Sequence, residues 1–444
     1  PSGGARSISG PSTTSGLIIL NGADRVTIDG SVSGGTDRSL TITNTNTGAA
    51  VVWIRSASAL DGSNFDTVKN CILAGNSGTT TVAGVVAGSG VTFGSPAEFP
   101  NSNNTIQNNV ITKVQNALYL FGNATALDQN WLITGNTLGS TVAADKLGFR
   151  GLLIGNAQAF TISNNTINGV VSGTTSSLTV TGIQLTSNLA TGSIARNRIS
   201  DIKQTNPSGW GSNGMLLAAA TTASNVTVSN NFIWDVASRG FGGVDVTDNG
   251  YGIVVLSGGG YKIYDNSVNL NTDQGTATGI TAGLNVLAAV TTAGSIDLRG
   301  NIFSNVQTIG TRYGVLSSAP STVFSSIDTN DYFAQNVGFI GGSAQASLSA
   351  WQAATGQDAN SIAADPLFVS ATDLHINTSG GASPVENVGA PLADVPNDID
   401  SDLRNPTTPD IGADEVRCHT GVDTCDDGNA CTIDSCNPAS GCSY

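Results

Sequence analysis

The sequence predicts an all-β solenoid, a stack of coils made from short strands, and three observations carry that expectation. The first is an asparagine motif that recurs nine times: Asn70-Cys71-Ile72, Asn108-Asn109-Val110-Ile111, Gly135-Asn136-Thr137-Leu138, Asn164-Asn165-Thr166-Ile167, Arg196-Asn197-Arg198-Ile199, Asn230-Asn231-Phe232-Ile233, Asp265-Asn266-Ser267-Val268, Gly300-Asn301-Ile302-Phe303 and a degraded Thr329-Asn330-Asp331-Tyr332. Taken from Asn70 through Asn109 to Asn330, the steps range from 27 to 39 residues. A period that drifts in this way marks stacked turns with loops of variable length. The second observation is a short alternating apolar run before each asparagine, such as Phe160-Thr161-Ile162 or Tyr261-Lys262-Ile263, which reads as a strand with one buried face. The third is a glycine-opened strand midway to the next copy, as in Gly151-Leu152-Leu153-Ile154 and Gly252-Ile253-Val254-Val255. A sandwich or propeller with Asn-rich turns is the competing reading. The lack of a four-strand blade period weighs against it.

Each element then has its reason. Residues 1–16 are rich in Gly, Ser, Pro and Thr and read as a linker that runs into an N-terminal cap. Residues 17–340 hold the coils. Asn tolerates the left-handed backbone of a sharp corner, and glycine adopts it without steric cost. Stacked as Asn109, Asn136, Asn165, Asn197, Asn231, Asn266 and Asn301, the side chains are expected to hydrogen-bond from coil to coil as an amide ladder. Two residues further on, Ile111, Leu138, Ile167, Ile199, Ile233, Val268 and Phe303 are expected to form one interior row, because the pleat fixes their side. Residues 341–416 read as a capping and closing segment. In it, Ser347 is an N-cap before the helix formers Leu348 to Thr355, and Gly356 ends them. A short helix there covers the C-terminal end of the stack. Residues 417–444 form a Cys-rich tail or inter-module linker.

The repeats from about Leu17 to Phe339 resemble right-handed parallel β-helix proteins, whose relatives include pectate lyases, polygalacturonases and many large secreted bacterial proteins. The series Asp365-Pro366-Leu367-Phe368, Asp373-Leu374-His375-Ile376, Asp398-Ile399-Asp400-Ser401-Asp402-Leu403-Arg404 and Pro409-Asp410-Ile411-Gly412-Ala413-Asp414-Glu415 resembles the closing segment of β-helix modules in very large cell-surface proteins of Bacteroidota-type bacteria. Ser401 stands where that pattern has glycine. In the tail, Cys425-Asp426-Asp427-Gly428-Asn429-Ala430-Cys431-Thr432-Ile433-Asp434-Ser435-Cys436 is similar to Cys-rich spacer units that join modules in giant bacterial surface proteins. These resemblances imply a right-handed parallel β-helix module, secreted and displayed at the cell surface.

Charge narrows the partners. Of 444 residues only 11% are charged, with 32 acidic against 17 basic, for a net charge of −15. Nucleic acid and anionic membrane surfaces are therefore poor partners. No apolar run approaches a membrane span, so direct insertion is not expected. The chain begins without an initiator Met or a signal peptide, as a mature or excised piece would. Scarce Lys, abundant Thr, Ser, Gly and Asn, and the Cys-rich tail fit an extracellular location.

The tail carries Cys418, Cys425, Cys431, Cys436 and Cys442, for which disulfides are the first explanation; zinc is the competitor, without a Cys-x2-Cys knuckle to support it. Two bridges use four of the five, and Cys71 reads as a small apolar residue inside a coil. Calcium is the candidate cofactor. Asp423, Asp426, Asp427, Asn429 and Asp434 offer one set of hard oxygen ligands, and Asp398, Asp400 and Asp402 a second, which would face one way on an extended segment. The alternative for the second set is turn capping, with Asp402 pairing to Arg404.

Among the coil carboxylates, Asp235, Asp245 and Asp248 mark the best acidic groove, with Arg239 as its cation. Trp210, Trp234, Phe241 and Tyr251 in the same stretch offer a sugar-stacking platform or packing beneath a long loop. No catalytic residue is assigned, since both histidines, His375 and His419, lie outside the coils. The expected function is a non-enzymatic structural or adhesive module of an extracellular adhesin or filament. Its partners would be neighbouring modules, copies of itself or a glycan. A calcium-dependent polysaccharide lyase or glycoside hydrolase is the alternative.

Overall fold

The computed structural model describes residues 4–12, 15–175, 178–379, 381–418, 435–437 and 441–443. Among them the chain forms a parallel β-solenoid whose coils have three strand-bearing faces. The first face is one sheet with eleven strands along its path, running from Arg6–Gly10 and Leu40–Asn44 through Thr166–Ser172 and Phe232–Trp234 to Asp331–Ala334. It holds the strand that follows each asparagine motif. The glycine-opened strands and the strands before the motif make the other two faces, which belong to one sheet of 21 strands. They are joined because Arg150–Ser163 and Val180–Ala195 pass the corner between the two faces without a break.

Parallel register follows from the pleat. Ile42, Leu73, Ile111, Leu138, Ile167, Ile199, Ile233, Val268, Phe303 and Tyr332 pair in a single row. All ten are fully buried or nearly so. A one-residue slip would turn the whole set to solvent, so the apolar pattern holds the register.

The corners divide their work differently from the sequence-based expectation. The left-handed residue is the first of each motif: Asn70, Asn108, Gly135, Asn164, Arg196, Asn230, Asp265, Gly300 and Thr329 all have φ between 49° and 71°. The asparagine that follows has ordinary backbone and points inward. This shifts the alignment of the first copy, because Ile72 pairs with Val110. Asn70 therefore matches Asn108, and Cys71 occupies the place filled elsewhere by the inward asparagine.

The two ends differ. At the start, Arg6–Gly10 is an edge strand of the first face, paired with Leu40–Asn44, so residues 6–10 belong to the stack. At the other end the helix Leu348–Thr355 lies over the last coil. Ser347 accepts from Ala350 N at its start, and Gly356 ends it at φ 70°. Trp351 is fully buried, edge-on to Tyr332 at 6.2 Å between ring centroids and against Gly338. Both Trp351 Nε1 and the Tyr332 hydroxyl donate to Asp358 Oδ2 at 2.6 Å. The segment after the helix then turns back along the outside of the first face. Among the described residues no helix is long and apolar enough to cross a membrane.

Candidate functional site

Inside the coils the polar groups are occupied by structure. Asn109 Oδ1 accepts from Cys71 N at 3.0 Å, and from there each inward asparagine repeats one pattern. Its backbone N and its Nδ2 both donate to Oδ1 of the next: Asn109 to Asn136, Asn136 to Asn165, Asn165 to Asn197, Asn197 to Asn231, Asn231 to Asn266, Asn266 to Asn301 and Asn301 to Asn330, at 2.9–3.1 Å. Each Nδ2 also reaches a strand carbonyl of the preceding coil, as Asn197 does to Ile162 O at 3.0 Å. The row ends where Asn330 N donates to Ser361 Oγ. With one donor on Asn109 Oδ1 and two on each oxygen after it, the buried row leaves no orphan acceptor. Cys71, free and buried, begins it. Burial, then the nearby Asp29 carboxylate, pushes its thiol up to about 11, so it stays protonated.

The outside of the third face is different. Thr161, Ser193, Thr227, Lys262, Asp297 and Ser326 stack in register there as an outward row. In the inward row beside it, Gly192 makes room for the buried Phe160 ring, to which a Cβ would come within 2.2 Å. The closing segment folds residues Asp394 to Asn397 beside this face and walls a cavity of about 540 Å³. Arg196 and Lys262 supply its cations, and Lys262 Nζ meets Asp394 Oδ2 at 2.6 Å. A second cavity, of about 340 Å³, shares Asn225 and Lys262 with the first and continues past Ser295 to Ser325. Together they follow six stacked strands, from the coil of Phe160 to that of Phe324. At about 4.8 Å per strand this is a groove on the order of 24 Å long, parallel to the stack.

The closing segment is fastened to the first face by buried charge. Arg404, almost fully buried, donates through Nη2 to Asn230 Oδ1 at 2.7 Å and to Gly412 O at 2.6 Å. Its Nη1 reaches Glu415 Oε2 at 3.4 Å, and its Nε lies 3.8 Å from Asp265 Oδ2. Arg404 thus does not pair with Asp402, as the turn-capping alternative has it, but clamps onto two corner residues, Asn230 and Asp265. Burial raises Asp265 to about 7, with Arg404 opposing, and raises Asp410 to about 8, with Glu415 adding.

Asp398, Asp400 and Asp402 do not face one way, because their segment is a tight turn closed by an Asn397–Leu403 bridge. Asp398 Oδ1 accepts from the backbone N of Asp400 at 3.0 Å and of Asp402 at 2.8 Å, and its Oδ2 accepts from Glu415 N. Ser401 takes φ 77° there, the geometry that suits the glycine usual at this point of the pattern. Asp400 turns away to Arg198 at 2.7 Å and to His375 Nε2 at 2.8 Å. The other ring nitrogen of His375 bonds Asp373, and its ring meets Phe232 edge-on at 4.9 Å. Burial works against a charged ring, but the bond to Asp400, then Asp414 and Asp373, holds His375 up at about 9. The bond to His375 draws Asp400 down to about 2. His375, Asp400 and Asp414 bring ligand-type atoms within 4.8 Å of one another. Asp414 Oδ2 already accepts from Ile376 N at 2.8 Å.

The four candidate aromatics do not form one exposed platform, although Asn249 bridges Phe241 and Tyr251. Tyr251 is fully buried, its oxygen accepting from Asn249 Nδ2 at 3.0 Å. Trp234 packs against Phe232, Leu374, Ile399 and Ala413 beneath the closing segment. Only Trp210 and Phe241 of the four reach solvent substantially. The acidic groove is also divided. Asp235 is taken by Lys203 at 2.8 Å and by Thr272, while Asp245 accepts from Ala288 N. In the tail, Cys418 and Cys436 form a disulfide across 6.0 Å between Cα atoms, and Cys442 is disulfide-bonded too. Cys425, Cys431, Asp423, Asp426, Asp427, Asn429 and Asp434 lie outside the described residues.

The repeat family described as Dictyostelium (slime mold) repeat matches residues 424–444. No curated protein matches the chain. Among solved structures the chain is similar to the Dettilon tailspike protein at 13% identity and a TM-score of 0.37, covering 81% of this chain and 62% of that one. It is also similar to the A-module of the mannuronan C-5 epimerase of Azotobacter vinelandii at 15% identity and a TM-score of 0.39, covering 81% of this chain and 90% of that one. The chain spans less than two thirds of the tailspike chain's length.

Proposed function

We propose that this chain is a structural and adhesive solenoid module of an extracellular surface protein or filament, and that it holds a glycan strand along its side without cleaving it. The observation that carries this reading is the groove on the third face. It is long, parallel to the stack, floored by threonine and serine, and edged by Arg196 and Lys262. Hydroxyl and amide groups on a flat sheet suit the repeated hydroxyls of a sugar chain, with little apolar area demanded. The groove's carboxylates are committed elsewhere: Asp394 to Lys262, and Asp297 to Arg299 and the Tyr264 hydroxyl. The Cys418–Cys436 disulfide fits an oxidising compartment, and the Cys-rich tail suits a joint to a neighbouring module or to another copy.

The test is to incubate the full chain with acidic and neutral polysaccharides, with and without calcium, measuring retention and depolymerisation in the same samples. Retention with no new chain ends, and weaker retention for Thr227→Leu in the groove, is expected. Calcium-dependent appearance of shortened or unsaturated products would replace this reading with that of a lyase or hydrolase.

A further inference from the structure

We propose that a separate cavity around Arg239 binds the carboxylate of an acidic sugar; this rests on the glycan-binding reading and adds an anionic subsite to it. The cavity, of about 350 Å³, lies where the first face ends and loops lead toward the second. Three successive coils build its wall, through Lys203 to Pro207, Ala237 to Arg239 and Thr272 to Gly275.

Its charges are unequally committed. Lys203 Nζ sits between Asp235 at 2.8 Å and Asp201 at 3.0 Å, so its charge is neutralised. Asp273 accepts from Thr308 N at 2.6 Å and from Thr308 Oγ1 at 2.5 Å. The guanidinium of Arg239 is half-buried in the wall and has no ion-pair or hydrogen-bond partner among the described residues. A second donor is also unused: Gln204 is almost fully buried, its Oε1 accepts from Asn206 N at 3.0 Å, and its Nε2, beneath Gly209, has no partner.

The wall thus carries one unpartnered guanidinium among charges that are already paired or hydrogen-bonded, in a chain whose net charge of −15 offers an anion no long-range attraction. Recognition here has to be short-range, and the planar fork of an arginine fits a carboxylate with two parallel bonds. Thr205, Asn206 and Thr272 line the same wall with hydroxyl and amide groups, and Pro207 adds an apolar ring. That mixture suits a sugar ring carrying the carboxylate.

The experiment is calorimetric titration of the full chain with oligomers of a uronic acid and with the same oligomers as methyl esters. The wild-type chain is expected to bind the free acid about tenfold or more tightly than the ester. Arg239→Gln removes that preference while leaving ester binding unchanged, Arg239→Lys restores part of it, and Arg25→Gln, outside both cavities, leaves it intact. Should Arg239→Gln not fold, protection of Arg239 in the wild-type chain from dicarbonyl modification by the free-acid oligomer supplies the same answer. A preference that survives Arg239→Gln, or that is lost with Arg196→Gln instead, overturns this site and leaves the groove standing. Equal binding of acid and ester, or equal binding of a sulfated oligomer, overturns the carboxylate assignment. Binding of neither form overturns both this subsite and the glycan-binding reading.

Discussion

The asparagine ladder and the closing segment bury polar groups by opposite means. In the coils the same neutral amide recurs turn after turn, and repetition itself supplies the partner: from Asn136 to Asn330 each Oδ1 meets two donors because one coil is a copy of the last. The closing segment does not repeat, so it cannot use a copy of itself. It buries carboxylates instead, Asp398, Asp410, Asp414 and Glu415, sets Arg404 against the coil's Asp265, and balances the charges with Arg404, His375 and backbone N–H groups. The first solution costs little desolvation per residue and tolerates one exception, Cys71. The second concentrates charge in a dry place, where a buried pair contributes little net stability but losing one partner is severe.

The comparison is broken most directly at Arg404. Arg404→Ala leaves Asp265 and Glu415 buried without their cation, at an expected cost of about 3–5 kcal/mol, and the loss should stay local. Limited proteolysis should then cut within residues 365–417 while the strands from Leu40–Asn44 to Asp331–Ala334 remain protected. Cutting of the coils at the same rate would show that the two regions are one cooperative unit. A smaller effect is expected within the ladder. Asn197→Ala removes the acceptor for Asn165 N and Nδ2 and the donor to Ile162 O, for about 1–3 kcal/mol by denaturant unfolding. Asn109→Ala, whose Oδ1 serves only Cys71 N, should cost less. Equal losses at 109 and 197 would remove the case for a cooperative row.

How far each region could be read from sequence follows from the same contrast. Periodicity exposes anything that repeats, so the coils, the interior row through Ile167 and Val268, and the positions that form the amide row are all visible in the chain. One ambiguity there is local: two asparagines side by side at 108–109, 164–165 and 230–231 hide which takes the left-handed backbone, and the copies that begin with Gly135, Arg196, Asp265, Gly300 and Thr329 show that it is the first. The helix was legible because Ser347 and Gly356 are chemical stop signs. The Arg404 clamp was not, because its partners Asn230 and Asp265 lie well over a hundred residues away at corners that look like every other corner. Asp398 misled for a related reason. Alternate spacing implies one face only on an extended strand, and this carboxylate folds its own turn. The signal for His375 was present in Asp373 two residues before it, but Asp400 arrives from a different loop.

The mildest way to separate the regions is pH, because the ladder does not titrate and the clamp does. His375 is held at about 9, above its ordinary value near 6.5, so its contribution is complete below about 6.5 and disappears as pH rises through 9. Burial raises Asp398 to about 6, Asp265 to about 7 and Asp410 to about 8, so these too bind protons more tightly folded than unfolded and weaken the folded state as pH climbs through those values. Asp400, drawn down to about 2, has the opposite sign but acts only in strong acid. These four groups, His375, Asp398, Asp265 and Asp410, therefore pull one way between pH 5 and 9. Proteolysis of residues 365–417 should accelerate steadily across that range, after correction for the protease's own profile, while exchange of the Asn136 to Asn301 amides keeps its protection. His375→Gln should flatten the upper part of the slope, between about pH 7 and 9, and leave the lower part to the buried aspartates. A closing segment that instead tightens with rising pH would mean that those carboxylates are ionised and satisfied by something other than Arg404, and the contrast between a neutral ladder and a charged clamp would have to be abandoned.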